Sequence, residues 1–118
     1  MNVLYVEDNQ DVRELVCLIL DEEQLAVVAC ANAEIAEVEF AQRRFDILIT
    51  DVSLPLMPGT ELARRLQKGR PDLWVIFCTG YPMQHGLHAW GDRARCLRKP
   101  FEPEELHALL EECRAGSS

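Results

Sequence analysis

Phe45-Asp46-Ile47-Leu48-Ile49-Thr50-Asp51 reads as a buried strand: a short apolar run, rich in β-branched residues, is bounded by polar ones. The loop that follows, Val52-Ser53-Leu54-Pro55-Leu56-Met57-Pro58-Gly59, holds the Pro and Gly that stop it. Asp51 therefore stands at the carboxyl end of a strand. In an open parallel α/β sheet that edge is where ligands bind, so a carboxylate there is a candidate for chemistry as well as for capping the next turn.

Working outward, Val3 to Val6 is a strand running into Glu7-Asp8-Asn9, whose side chains can cap a following helix. That helix carries Val12, Leu15, Val16, Ile19 and Leu20 at helical spacing. Ala26 to Cys30 is a second strand, and a helix is expected from about Asn32 to Arg43. After the Pro-rich loop, Leu62, Ala63 and Leu66 mark a helix stopped by Gly69 and Pro71. Leu73 to Cys78 is a fourth strand leading into Thr79-Gly80-Tyr81-Pro82. A weak helix over about Met83 to Gly91 follows, interrupted by Gly86. Ala94 to Leu97 is a fifth strand, ending in Arg98-Lys99-Pro100-Phe101. The last helix has Pro103 in its first turn, Glu104 and Glu105 at its positive end, and Leu106, Leu109, Leu110 and Cys113 on one face. Residues 115–118 read as a fraying tail after an ordered 1–114.

Five strands alternating with five helices on short loops imply right-handed crossovers and a parallel sheet covered on both faces. That arrangement sets Glu7, Asp8, Asp51, Thr79 and Lys99 on one edge. Each has an ordinary structural role open to it as a cap, a turn residue or a solvated charge. Together, clustered carboxylates repel and raise one another's pKa unless a cation offsets them. An oxygen-only donor set suits a hard cation, Mg²⁺ above all, which takes one or two carboxylates together with a phosphate. The chemistry expected is phosphoryl transfer, with a carboxylate attacking phosphorus and Lys99 and Thr79 stabilising the phosphoryl oxygens.

Composition narrows the alternatives. The 118 residues make one domain, 1–118, of a size that buries a single core. Twenty acids against 12 bases give a net charge of −8, which speaks against nucleic-acid binding. Every apolar stretch is far shorter than a membrane span and no secretory leader is evident, so a cytoplasmic protein is expected. Five scattered cysteines without a C-x-x-C pair read as reduced, mostly buried thiols. His85 and His88 have no nearby partner to complete a metal site and read as surface residues.

The ordered set Glu7-Asp8, Asp51 with its Pro-rich loop, Thr79-Gly80 and Lys99-Pro100-Phe101 resembles the receiver domain of two-component response regulators, over essentially the whole chain. The resemblance implies a flavodoxin-like (βα)5 three-layer sandwich with a five-stranded parallel sheet of order 2-1-3-4-5. It implies that Asp51 accepts a phosphoryl group from a phosphohistidine on a sensor histidine kinase or histidine phosphotransfer protein. Asp8 and Asp51 would bind Mg²⁺ directly, Glu7 through water, and the Ser53 backbone carbonyl would add a ligand. Thr79 would close on the phosphoryl group, and Lys99 would pair with Asp51 or its phosphate. The Lys99–Pro100 bond is expected cis. Ser53 and Tyr81 resemble positions that tune phosphate lifetime, with the Tyr81 ring placed to hinder water. Such a protein signals by binding a downstream protein, as a monomer or weak homodimer, and is not an enzyme beyond its own phosphorylation and dephosphorylation.

Two departures stand out. The position three before Lys99 usually holds an aromatic switch residue in that family and here is Cys96, which throws signalling back on the segment Met83 to Gly91. No output domain follows the last helix. The chain then reads as a single-domain regulator, the receiver of a hybrid sensor kinase, or part of a longer regulator. Other classes fit less well: a phosphorylation-independent interaction module would not need every phosphorylation residue, and an Asp-dependent phosphohydrolase wants a second carboxylate where Ser53 stands. A flavodoxin-like cofactor binder would want a phosphate-cradling loop in place of Glu7-Asp8.

Overall fold

The computed structural model describes residues 1–81, 83, 87 and 90–117. Five strands, β1 (Asn2–Val6), β2 (Ala26–Cys30), β3 (Ile47–Asp51), β4 (Trp74–Thr79) and β5 (Ala94–Arg98), alternate with helices α1 (Gln10–Glu22), α2 (Ala33–Gln42) and α3 (Gly59–Gly69), and α4 (Pro103–Ser117) closes the chain. The strands form one parallel sheet in the order β2-β1-β3-β4-β5. This is the expected flavodoxin-like arrangement. The helix expected over Met83 to Gly91 lies largely outside the described residues, as do His85 and His88.

Side-chain alternation along the strands divides the core into two layers. On β1, Val3 and Tyr5 join α1 and α4 in one apolar cluster, while Leu4 and Val6 join α2 and α3 in the other. Strands β3 and β4 are covered on both faces, which is why Ile47 to Ile49 and Val75 to Phe77 form unbroken apolar runs buried throughout. Met83, Leu87 and Trp90 pack against the second cluster, so at least these residues of the β4–β5 connection cover the sheet.

Local chemistry sets the helix ends. Asn9 accepts the Val12 N–H at 3.1 Å and Asn32 the Ile35 N–H at 2.9 Å, two side-chain N-caps. The C-terminal residues depart from expectation: α4 continues through Ser117 rather than fraying from Ala115. Its last turn lies on the Trp74 indole, so closely that a Cβ on Gly116 would come within 2.4 Å of the ring. Arg93 Nη2 donates to the Gly116 carbonyl at 3.2 Å and satisfies one of the terminal carbonyls.

Candidate functional site

Four strand ends deliver the expected side chains to one edge. Glu7 and Asp8 follow β1, Asp51 is the last residue of β3, Thr79 the last of β4, and Lys99 follows β5. Carboxylate oxygens of Glu7, Asp8 and Asp51 lie within 4.8 Å of one another. Their burial is graded: Glu7 is buried, Asp51 half-buried and Asp8 exposed.

Lys99 ties the cluster together. Its Nζ donates to Glu7 Oε1 at 2.9 Å and lies 3.3 Å from Asp51 Oδ2. The expected pairing with Asp51 is present, and the closer partner is Glu7. Burial pushes the Glu7 carboxyl above its ordinary range, against the hydrogen bond from Lys99. For Lys99, burial alone would lower the pKa, but the hydrogen bond to Glu7 and the charge of Asp51 outweigh it and raise it. The lysine is therefore held as an ammonium. Glu7 Oε2 also accepts the Asn9 N–H at 3.2 Å.

Backbone contacts lock the strand ends together. The Lys99 N–H donates to the Thr79 carbonyl at 2.8 Å, and the Lys99–Pro100 peptide is cis as expected. The Tyr81 N–H donates to Thr79 Oγ1 at 3.1 Å, leaving the hydroxyl proton free to be donated elsewhere. The Tyr81 side chain is 79% exposed. After Asp51 the loop turns back tightly: the Gly59 N–H reaches the Val52 carbonyl at 2.9 Å, and a Cβ on Gly59 would fall 2.0 Å from the Asp51 carbonyl oxygen. Glycine is required there by close approach, not by an unusual φ.

Some participants escape a reading of the sequence. Arg13 Nη1 donates to the Glu7 carbonyl at 2.8 Å, anchoring the acidic turn from one helical turn beyond its cap. Thr50 Oγ1 donates to the Asp51 carbonyl at 3.0 Å. Cys78 pairs in register with Asp51, but burial pushes its thiol up to about 12, so it offers no competing thiolate. All five cysteines are free, with Cys30, Cys78 and Cys113 buried. Cys96 is half-buried and lies opposite Phe77 in the ladder. The aromatic ring that packs on Phe77 comes instead from Trp90, with centroids 4.8 Å apart, and Arg64 lies over Trp90 at 5.4 Å.

The donor set suits a hard cation. It is oxygen-only, and three carboxylates against one ammonium leave two formal negative charges for a divalent ion to offset.

An acidic cluster with a lysine at the carboxyl edge of a 2-1-3-4-5 parallel sheet defines a class, and comparison with known proteins places the chain in it. The family model for the response regulator receiver domain matches residues 3–111, and the chain belongs to that family. It is 33% identical over 107 residues to the response regulator receiver protein CpdR of Brucella abortus, covering 88% of each chain. Against the phosphate regulon regulatory protein PhoB of Pseudomonas aeruginosa it is 30% identical, spanning 92% of this chain and 49% of that one. Among solved structures, chemotaxis protein CheY4 of Vibrio cholerae superposes with a TM-score of 0.86 at 26% identity, covering 95% and 97% of the two chains. TrrA of Thermotoga maritima, in complex with Mg²⁺-BeF, gives 0.85 at 27% identity with the same coverage. No helix among the described residues is long and apolar enough to cross a membrane.

Proposed function

We propose that the chain is a phosphoacceptor switch: Asp51 takes a phosphoryl group from a phosphohistidine on a sensor histidine kinase or histidine phosphotransfer protein. The observation that carries this reading is the convergence of three carboxylates within 4.8 Å with Lys99 bridging two of them. An Asp51 carboxylate oxygen attacks phosphorus. The P–N bond breaks, its electron pair returns to the imidazole nitrogen, and that nitrogen takes up a proton. Lys99 holds positive charge against the phosphoryl oxygens, and Thr79 donates its free hydroxyl proton to one of them.

Asp8 and Asp51 would hold Mg²⁺ directly, with Glu7 acting through water and the Ser53 carbonyl as a further ligand. When bound, the ion supplies positive charge to the transferring group. Glu7, already tied to Lys99, contributes chiefly by fixing that lysine. Ser53 stands where an Asp-dependent phosphohydrolase carries its general acid and base, two residues after the nucleophile, which suits a signalling module better than a turnover enzyme. With Cys96 in place of an aromatic switch residue, the tilted contact of Trp90 with Phe77, two residues before Thr79, serves as the route from site to surface. The output is binding to a downstream protein, from the cytoplasm, by a monomer or weak homodimer.

Incubation with Mg²⁺ and a small acyl phosphate, followed by intact mass spectrometry, tests the reading. A single phosphoryl adduct, labile to hydroxylamine and missing in Asp51→Asn or in EDTA, is the expected result. An adduct that persists in Asp51→Asn would move the acceptor elsewhere.

A further inference from the structure

At the opposite, amino-terminal end of the sheet, Arg44, Arg70 and Arg93 line a cavity of about 150 Å³ together with Asp46 and Asp72. Each arginine comes from a different connection: α2 to β3, α3 to β4, and the residues leading into β5. Two of them are held in place. Arg70 Nη1 donates to the Phe45 carbonyl at 2.8 Å, while Nε and Nη2 face the Asp72 carboxylate at 3.0 and 3.5 Å. Arg93 donates to the carbonyls of Asp72 at 3.0 Å and Gly116 at 3.2 Å, with its guanidinium 5.1 Å from the Trp74 ring centroid. The third is exposed, and among the described residues its guanidinium makes no hydrogen bond or ion pair.

Both carboxylates have partners of their own. Asp46 accepts the Asn2 backbone N–H at 2.8 Å, and the hydrogen bond from Arg70 holds Asp72 below the usual carboxylate range. The cavity keeps one formal positive charge in a chain of net charge −8. A guanidinium presents five N–H donors, so the three together offer far more donors than these contacts use. One guanidinium fork satisfies a planar carboxylate. The N–H groups that Arg70 and Arg93 do not spend on these contacts, together with the guanidinium of Arg44, come from three separate connections, which suits a tetrahedral oxyanion better. An adjoining groove of about 380 Å³ shares Arg44 and Arg70 and adds Phe40 and Ala41, an apolar patch flanked by Gln42 and Arg43.

We propose that this cavity binds the phosphate group of a small phosphate-bearing molecule, with Arg70 and Arg93 pre-positioned and Arg44 closing on the ligand. The site sits at the start of the strand that ends in Asp51, about 17 Å away at the rise of a parallel strand. It is thus separate from the acidic edge.

The test is calorimetric titration of the whole chain in EDTA, at an ionic strength held constant with chloride. Inorganic phosphate, adenosine 5′-monophosphate and adenosine are the probes, and backbone amide shifts are followed by NMR. Saturable phosphate binding is expected, shifting the amides of Arg44, Asp46 and Asp72. Arg44→Glu should weaken it at least about tenfold, and Asp51→Asn should leave it unchanged. Tighter binding of the nucleotide, with adenosine silent, assigns the phosphate to an organic ester lying along Phe40; equal affinities assign free phosphate. Absence of saturable binding, undiminished binding in Arg44→Glu, or loss in Asp51→Asn would overturn the proposal. Should Arg44→Glu fail to fold, Arg44→Gln replaces it, and the amide map of the native chain decides by itself.

Discussion

Leu56 holds a φ of +70° and a side chain 93% exposed, three residues before the glycine that returns the loop against Asp51. An L-residue in that region carries about 1–2 kcal/mol of backbone strain, and an exposed leucine gains nothing from packing in return. Leu56→Gly is expected to stabilise the protein by about 0.5–1 kcal/mol, after allowing for glycine's greater freedom when unfolded. A denaturant midpoint that does not rise would mean the loop relaxes by another route. Gly59 presents the opposite case. Adding a methyl 2.0 Å from the Asp51 carbonyl oxygen must push the loop outward. Gly59→Ala should therefore destabilise by about 1–3 kcal/mol and slow phosphorylation from an acyl phosphate, since the displaced carbonyl belongs to Asp51, the proposed acceptor. Loss of stability with an unchanged phosphorylation rate would show that the carboxylate is placed independently of this loop.

Among the elements, α1 and α4 are joined by charges as well as by the apolar cluster between them. Glu23, just past α1, accepts from His107 Nδ1 and from Arg114 Nη1 at 3.1 Å, while Arg114 Nη2 reaches its backbone carbonyl at 2.8 Å. Burial alone would raise the Glu23 carboxyl, but the hydrogen bonds from His107 and Arg114 more than offset it and leave the pKa lowered. A carboxyl depressed on folding adds stability that is fully present above its unfolded pKa and lost as pH falls through the folded one. Glu23→Gln should accordingly cost about 1 kcal/mol at neutral pH, with the gap from the native chain closing as the solution is acidified through the carboxylate range. Urea unfolding of both proteins at a series of pH values measures that gap; a gap constant with pH would exclude the charge as its source. The end of α4 is held differently, by the Trp74 ring and Arg93, which is why it stays helical past a glycine that local propensity would place in a tail.

For the whole molecule, the proposed metal site at the acidic edge predicts a coupling between metal binding and folding. An ion that binds the native carboxylate cluster and not the unfolded chain stabilises by RT ln(1 + [L]/Kd). Thermal unfolding is thus expected at a higher midpoint in millimolar Mg²⁺ than in EDTA, by about 2.7 kcal/mol of stability at one hundred times Kd, and the shift should vanish in Asp8→Asn. An equal shift in that variant would place the ion elsewhere. By itself, the sequence determined the five strands, the four helices of the described residues and the identity of the edge: strand and helix periods, Asn caps, the Pro-rich loop and the residues after each strand are all local signals, legible within a few positions. It also determined that Asp51, Asp8 and Lys99 share that edge, because short loops between alternating elements allow one handedness of crossover. Only the tertiary structure decided that Lys99 lies closer to Glu7 than to Asp51, that Trp90 and not residue 96 supplies the ring on Phe77, and that Arg44, Arg70 and Arg93 meet around one cavity. Those are contacts between residues far apart in the chain, 92 positions for Glu7 and Lys99. Their geometry is set by how the layers pack on the sheet, and no local pattern of side chains records it.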